Sequence, residues 1–259
     1  MGNSVLIEKS ESVATIFLNE PESSNSLSVE IRKGLFQALM DADLDENIRV
    51  IVIAGKGRGF CAGGDIRLME QNFTALESKK NMEFIVKFIS MMQNSQKPII
   101  AAVHGFAAGA GFSIALASDL VIAEKGTKFT LAFNKLGLIP DLGAHFFLSR
   151  MVGPWKTKQL IWSGAKISAE EGEHMGFVTN AVGQGEAYEK AIELAKEMAN
   201  GPIQAYFETK KIVNQSLTVG LDEVLNLEAY SQTILKETED HQEGIKAFRE
   251  KRTPDFNGM

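Results

Sequence analysis

Two short stretches, FCAGGDI at 60–66 and HGFAAGAGF at 104–112, carry the residues most open to chemistry. Glycine and alanine leave backbone N–H groups open to close approach, and a site built from two unobstructed amides usually holds an oxyanion. Two such donors, preorganised about a carbonyl oxygen, stabilise the charge developing on it by roughly 3 kcal/mol each. The pair points to an enzyme acting on a carbonyl.

Other reactive side chains offer less. Cys61 is the single cysteine of the chain, so no disulfide framework or cysteine metal site is expected and a reducing, cytoplasmic setting fits. No base adjoins it in sequence, which favours a packed side chain over a thiolate nucleophile. His104, His145, His174 and His241 are scattered without metal-ligand spacing, and no metal is expected. The net charge of −6 and the lack of a basic stripe argue against nucleic acid as a partner. Lys56, Arg58 and Arg67 nevertheless gather near the first glycine stretch, where a small polyanion would need cations.

Composition, 44% hydrophobic and 23% charged, is that of a globular domain. The start, MGNSVLIEKSES, lacks the pattern of a secretory signal, and Leu6 stands where a myristoylation motif needs Ser or Thr. The uncharged run Ile99 to Ser118 has the length of a membrane span, but its glycines, alanines and His104 make it weakly apolar. A strand, a tight loop and a small-residue helix fit it better, and no membrane partner is expected.

These elements must position the amides. Residues 5–19 read as two β-branched strands around a polar turn at Ser10 to Ser12. Ile31, Leu35, Ala38, Leu39 and Ala42 follow helical spacing, with Ser28 as N-cap. VIVIA at 50–54, IIAAV at 99–103, LVIA at 120–123 and FVTNAV at 177–182 read as buried strands alternating with helices, hence an α/β fold with a largely parallel sheet. Beyond about residue 185 three helices are expected, at 186–199, 202–217 and 221–237. The last has a wide apolar face, suited either to packing between subunits or to burial within its own.

Over essentially its whole length the chain resembles the crotonase superfamily, the enoyl-CoA hydratases and isomerases. The resemblance rests on PESSNSL at 21–27, GFCAGGDI at 59–66, KPIIAAVHGFAAGAGF at 97–112, SDLVIA at 118–123, LGLIPDLG at 136–143, ISAEE at 167–171 and EGIKAFREKRTPDF at 243–256. It implies a spiral core of ββα turns over residues 1–200 and a C-terminal helical region, 201–259, that forms a homotrimer or a dimer of trimers. It implies an acyl-CoA thioester substrate whose oxygen sits between the amides of Gly64 and Ala110. CoA would enter as part of the substrate, with no separate cofactor. The resemblance places CoA along Gly64, Asp65, Ile66 and Arg67, with Asp65 fixing the loop. Arg67, Lys251 and Arg252 are then either phosphate contacts or solvated charges, and Ser23 replaces a lysine often found in the 21–27 loop.

Departures from the family pattern bear on the reaction. The two glutamates that hydratases use to add water fall on Ser113 and Phe133, neither of which is an acid or base at neutral pH. Where many hydratases have I-P-G, this chain has Ile139-Pro140-Asp141, as in a subset of isomerases. Asp141 is then either the pocket base or the N-cap of a helix at 143–151. Leu138, Ile139, Leu142, Phe146 and Phe147 flank it in sequence; packed around it in space, they would raise its pKa. The implied activity is 3-enoyl-CoA to 2-enoyl-CoA isomerisation with one carboxylate as proton shuttle. Isomerisation of an aromatic-ring epoxide thioester, weak hydration and non-catalytic CoA-thioester binding are the alternatives. His104 stands where the family usually has Asn and is read as structural.

Overall fold

The computed structural model describes residues 3–216 and 218–258, with the side chain of Met69 outside the description. The hairpin β1 (Val5–Ser10) and β2 (Val13–Leu18) opens the chain, and helix α1 (Val29–Leu44) follows. Then come β3 (Val50–Gly55), α2 (Ile66–Met69), α3 (Ala75–Asn94), β4 (Ile99–Val103), β5 (Phe106–Ala108), α4 (Ala110–Ala117), β6 (Leu120–Glu124) and β7 (Lys128–Thr130). A 3-10 turn at Ala132–Leu136 leads to α5 (Ala144–Ser163), β8 (Ile167–Ser168), α6 (Ala169–Met175) and β9 (Asn180–Val182). The tail is helical: α7 (Ala187–Ala199), α8 (Ile203–Ser216), α9 (Leu221–Leu235) and α10 (Glu239–Glu250).

The larger sheet has the order β1-β2-β3-β4-β6-β9 and is parallel except for the β1–β2 hairpin. Its central strands are covered on both faces, which is why they read as unbroken apolar runs. One face carries Ile16, Ile51, Ile53, Ala101 and Val103 against Ile31, Leu35 and Leu39 of α1 and the buried α4. On the other, Val50, Val52, Ile100 and Ala102 meet Ala191, Ala195 and Ala199 of α7. Alanine at every fourth position lets that helix lie close to the sheet. All five apolar residues expected on the α1 face are buried, and Ser28 accepts a 3.1 Å hydrogen bond from the Ile31 amide as N-cap.

A second sheet, β5-β7-β8, runs beside the first, and the bridges Leu27–Gly64 and Cys61–Ala107 extend its layer. Each turn of chain thus supplies a strand to one sheet, an extended segment to the other and then a helix, the expected ββα spiral. The uncharged run 99–118 is divided among β4, β5 and α4, and among the described residues no helix is long and apolar enough to cross a membrane. The expected end of the second tail helix at Leu217 lies outside the described residues, as do Met1 and Gly2 of the amino-terminal motif. Helix α10 is additional to the three tail helices read from periodicity. Only Asp240 and Ala247 of it are buried, and its apolar Ile245 and Phe248 are exposed in the single chain.

The two layers meet backbone to backbone at the glycine stretches. A Cβ on Gly63 would lie 2.6 Å from the Ala108 carbonyl oxygen, and one on Gly111 would lie 2.6 Å from Cys61 Cβ. Gly63 also has φ +97°. Gly63→Ala combines that conformation with a clash and is expected to lower stability by roughly 1–3 kcal/mol. Gly176→Ala has a similar φ of +87° but open space around it, so it isolates the conformational part. Thermal unfolding should show the larger loss for Gly63→Ala; equal shifts for the two variants would refute the close approach.

Candidate active site

The segment after β3 is held from three sides. The Phe60 amide reaches the carbonyls of His104 and Phe106, both at 3.0 Å, and Cys61 accepts from the Ala108 amide at 2.9 Å. The Leu27 amide donates to Gly63 at 2.7 Å. Asn25, fully buried, donates from Nδ2 to the carbonyls of Lys56, Gly59 and Phe60 at 2.8, 3.0 and 3.2 Å. Gly109, with φ +52° and ψ −122°, caps α4 with its own amide bonded to Thr130 at 2.8 Å. That geometry leaves Ala110 as the first residue of the helix, where N–H groups are without intrahelical partners and the dipole favours negative charge.

Neither the Gly64 nor the Ala110 amide donates a hydrogen bond within the described protein, and both residues line one cavity of about 440 Å³. Leu27, Arg32 and Leu35 of the α1 region form one wall. Phe73, Met82, Phe84, Ile85 and Phe88, on and just before α3, form another, and Asp141 and Leu142 complete it. The size is that of a small-molecule site.

Two carboxyl groups face this cavity, in opposite environments. Asp65 accepts from the Arg67 amide at 3.0 Å and from Arg67 Nε and Nη2 at 3.0 and 2.8 Å. These bonds, aided by the charge of Arg32, hold its carboxyl below the usual range. Asp141 has no cationic partner: its Oδ1 is buried and unbonded, and burial raises its pKa against a smaller opposing hydrogen bond from its own backbone amide. It does not cap α5, whose N-cap is Gly143 with no side-chain cap bond; the Asp141 backbone carbonyl, not its side chain, accepts from the Ala144 amide at 3.1 Å. The helix-cap reading of Asp141 is therefore set aside.

Its expected apolar neighbours divide. Leu138 and Ile139 are 50% and 77% exposed and Phe146 is exposed, whereas Leu142 and Phe147 are buried and Leu142 lines the cavity. Ser113 is fully buried and donates to the Gly109 carbonyl at 3.3 Å, while the Phe133 ring packs beside Gly109. Neither residue lines the cavity.

A family model described as enoyl-CoA hydratase/isomerase matches residues 8–259. The chain belongs to that family. Escherichia coli (strain K12) 1,2-epoxyphenylacetyl-CoA isomerase is 35% identical over 257 residues, 98% of each chain. The Bacillus subtilis (strain 168) protein YhaR, whose name assigns it provisionally to the enoyl-CoA hydratase/isomerases, is 38% identical over 244 residues, 94% of this chain and 95% of its own. An enoyl-CoA hydratase structure from Polaromonas sp. JS666 superposes with a TM-score of 0.93 at 32% identity, covering 98% of this chain and 99% of that one.

In this hydratase/isomerase family member the remaining sequence candidates lie outside the cavity. Ile66 and Arg67 are exposed, and Arg67 is spent on Asp65. Lys56 sits 3.5 Å over the Phe17 ring, Arg58 donates to Ser24 at 3.0 Å, and Arg252 is bound to Glu243 and Glu250. Cys61 is buried, its thiol pushed up to about 12 by desolvation, and accepts from the Gly63 amide at 3.4 Å. His104 Nε2 lies 2.9 Å from the Gly57 carbonyl, His145 is exposed, and among the described residues no cluster of His, Cys, Asp and Glu suits a metal.

Sequence reasoning missed Asn25, the α3 wall and Arg32. The first stood inside a quoted motif without a role. Arg32 could have been noticed as a cation beside the apolar stripe of α1, next to Ile31 and three residues before Leu35.

The raised pKa of Asp141 has a consequence for stability. A carboxyl with a higher pKa folded than unfolded binds more protons in the native state, so its ionisation opposes folding. The penalty is absent below the ordinary carboxylate range and fully present above the raised folded pKa. Asp141→Asn should therefore stabilise the fold at pH 7 by roughly 0.5–2 kcal/mol, and the gain should vanish as pH falls through that range. Melting curves at several pH values test this, and a gain that persisted at acid pH would contradict it.

Proposed function

We propose that this protein is an acyl-CoA thioester isomerase that moves a double bond from C3–C4 to C2–C3, with Asp141 as the single proton shuttle. The observation that carries this reading is the desolvated Asp141 carboxyl, its Oδ1 buried and unbonded, sharing a cavity with the free amides of Gly64 and Ala110. Environments that push two carboxyl pKa values apart assign their roles: Asp65 stays ionised and fixes the loop, and Asp141 exchanges protons.

The Asp141 carboxylate takes a proton from C2 of a 3-enoyl thioester, and the charge moves onto the thioester oxygen. The two amides and the start of α4 stabilise that dienolate. Asp141, now a carboxylic acid, returns the proton to C4, and the double bond forms between C2 and C3. Hydration would need a second polar group to hold water, and at those positions this chain has a hydroxyl committed to Gly109 and a phenyl ring. The relative named 1,2-epoxyphenylacetyl-CoA isomerase favours a second reading, rearrangement of an aromatic epoxide thioester over the same amides.

Residues 201–259 then serve assembly and residues 1–200 the chemistry. Leu221, Leu225, Tyr230 and Ile234 are exposed on α9 in the single chain, consistent with coverage by other copies in a trimer.

Incubation of 3-enoyl-CoA deuterated at C2 in ordinary water should yield 2-enoyl-CoA carrying part of that deuterium at C4. Asp141→Asn should lower kcat by about 100-fold or more with little change in KM. An Asp141→Asn protein as fast as wild type would overturn the assignment, and turnover of an epoxyphenylacetyl thioester alone would favour the second reading.

A further inference from the structure

Among the described residues, four buried side-chain polar atoms lack a hydrogen-bond partner, and two belong to residues lining the same cavity: Asp141 Oδ1 and Arg32 Nε. The mechanism uses the first and leaves the second unexplained. No hydrogen bond or ion pair joins the Arg32 side chain to any described residue. Asp65 and Glu30 supply negative charge nearby, but Asp65 is hydrogen-bonded to Arg67 and neither carboxylate bonds to Arg32. Among the other arginines, Arg49 is bonded to the carbonyls of Ala199 and Phe256, and Arg150 to that of Phe146.

We propose that Arg32 selects acyl groups bearing a carboxylate, which its guanidinium would receive inside the cavity. The guanidinium fork matches a carboxylate in two parallel hydrogen bonds, and half-burying it unpaired is unfavourable unless a ligand supplies the anion. Burial accordingly lowers the Arg32 pKa. The lining suits such an acyl group: Leu35, Ile85 and Phe88 for its carbon chain, and Asn72 and Asn81 as further polar contacts.

A CoA phosphate is the other anion the ligand could present. Arg32 lines the same cavity as Gly64, Asp65 and Ala110, on the side of the reacting thioester, which favours a group on the acyl chain. The carboxylate reading rests on the acyl-CoA function proposed above.

Calorimetric binding of unreactive saturated thioesters tests it without turnover. Full-length protein would be titrated with carboxy-terminated acyl-CoAs of about four to eight carbons, their neutral counterparts and free CoA. Wild type should bind one carboxy-terminated length about 10-fold or more tighter than its neutral counterpart. Arg32→Gln should abolish that preference while leaving neutral thioesters and CoA unchanged, and Arg32→Lys should keep part of it. Equal wild-type affinity for charged and neutral thioesters would overturn the proposal while leaving the acyl-CoA reading intact. So would an Arg32→Gln loss shared equally by all ligands including CoA, which marks a phosphate contact. Failure of every thioester and of CoA to bind would remove both readings.

Discussion

The contact between Gly63 and Ala108 sets the separation of two backbone segments that come from different turns of the spiral. A side chain on Gly63 would force the first segment away from the Ala108 carbonyl and change the spacing of the amides of Gly64 and Ala110, which border one cavity. Much of the surrounding structure maintains that approach. The larger sheet delivers β3 and β4 side by side, so the segments leaving them run together. Asn25 ties the first segment through three carbonyls, and Gly111 lets α4 begin against Cys61. Every residue of α4 is buried, which fixes the direction of the helix whose first amide serves the site.

Around these amides the protein keeps two carboxyl groups at different proton affinities. Arg67 makes a forked contact with Asp65 and stabilises its charge, whereas Asp141 is desolvated with its Oδ1 left unbonded. The first arrangement rigidifies the loop carrying Gly64. The second is unfavourable for folding and useful for chemistry, since a base of raised pKa gives up and recovers a proton more readily near neutrality. A buried carboxyl without a partner persists only where the rest of the core more than offsets it.

Arg32 extends the same pattern to the opposite charge. Few buried polar atoms lack partners in a folded protein, so two of them on one cavity mark where the interior is completed by a ligand. Helix α1 therefore has two uses: its apolar stripe packs on the sheet, and its neighbouring edge carries a cation into the cavity.

Alternation of apolar runs with amphipathic stretches was enough to indicate a parallel α/β sheet, because doubly covered strands must be apolar throughout. Periodicity likewise revealed the α1 face, Ser28 and three of the tail helices; the sparsely apolar α10 left no such trace. Motif order disclosed the family and, through Ser113, Phe133 and Asp141, the departures that bear on its reaction. What surrounds Asp141 was legible only in part: Leu142 and Phe147 are buried as expected, but Leu138 and Ile139 turn outward while α1 and α3 supply the cavity's other walls. Whether Asp141 capped a helix, and whether Arg32 found a partner, depended on contacts between segments far apart in the chain. Local residue types determine which elements form, but burial and hydrogen-bond partnership at a site belong to the packed whole, and tertiary structure alone decides them.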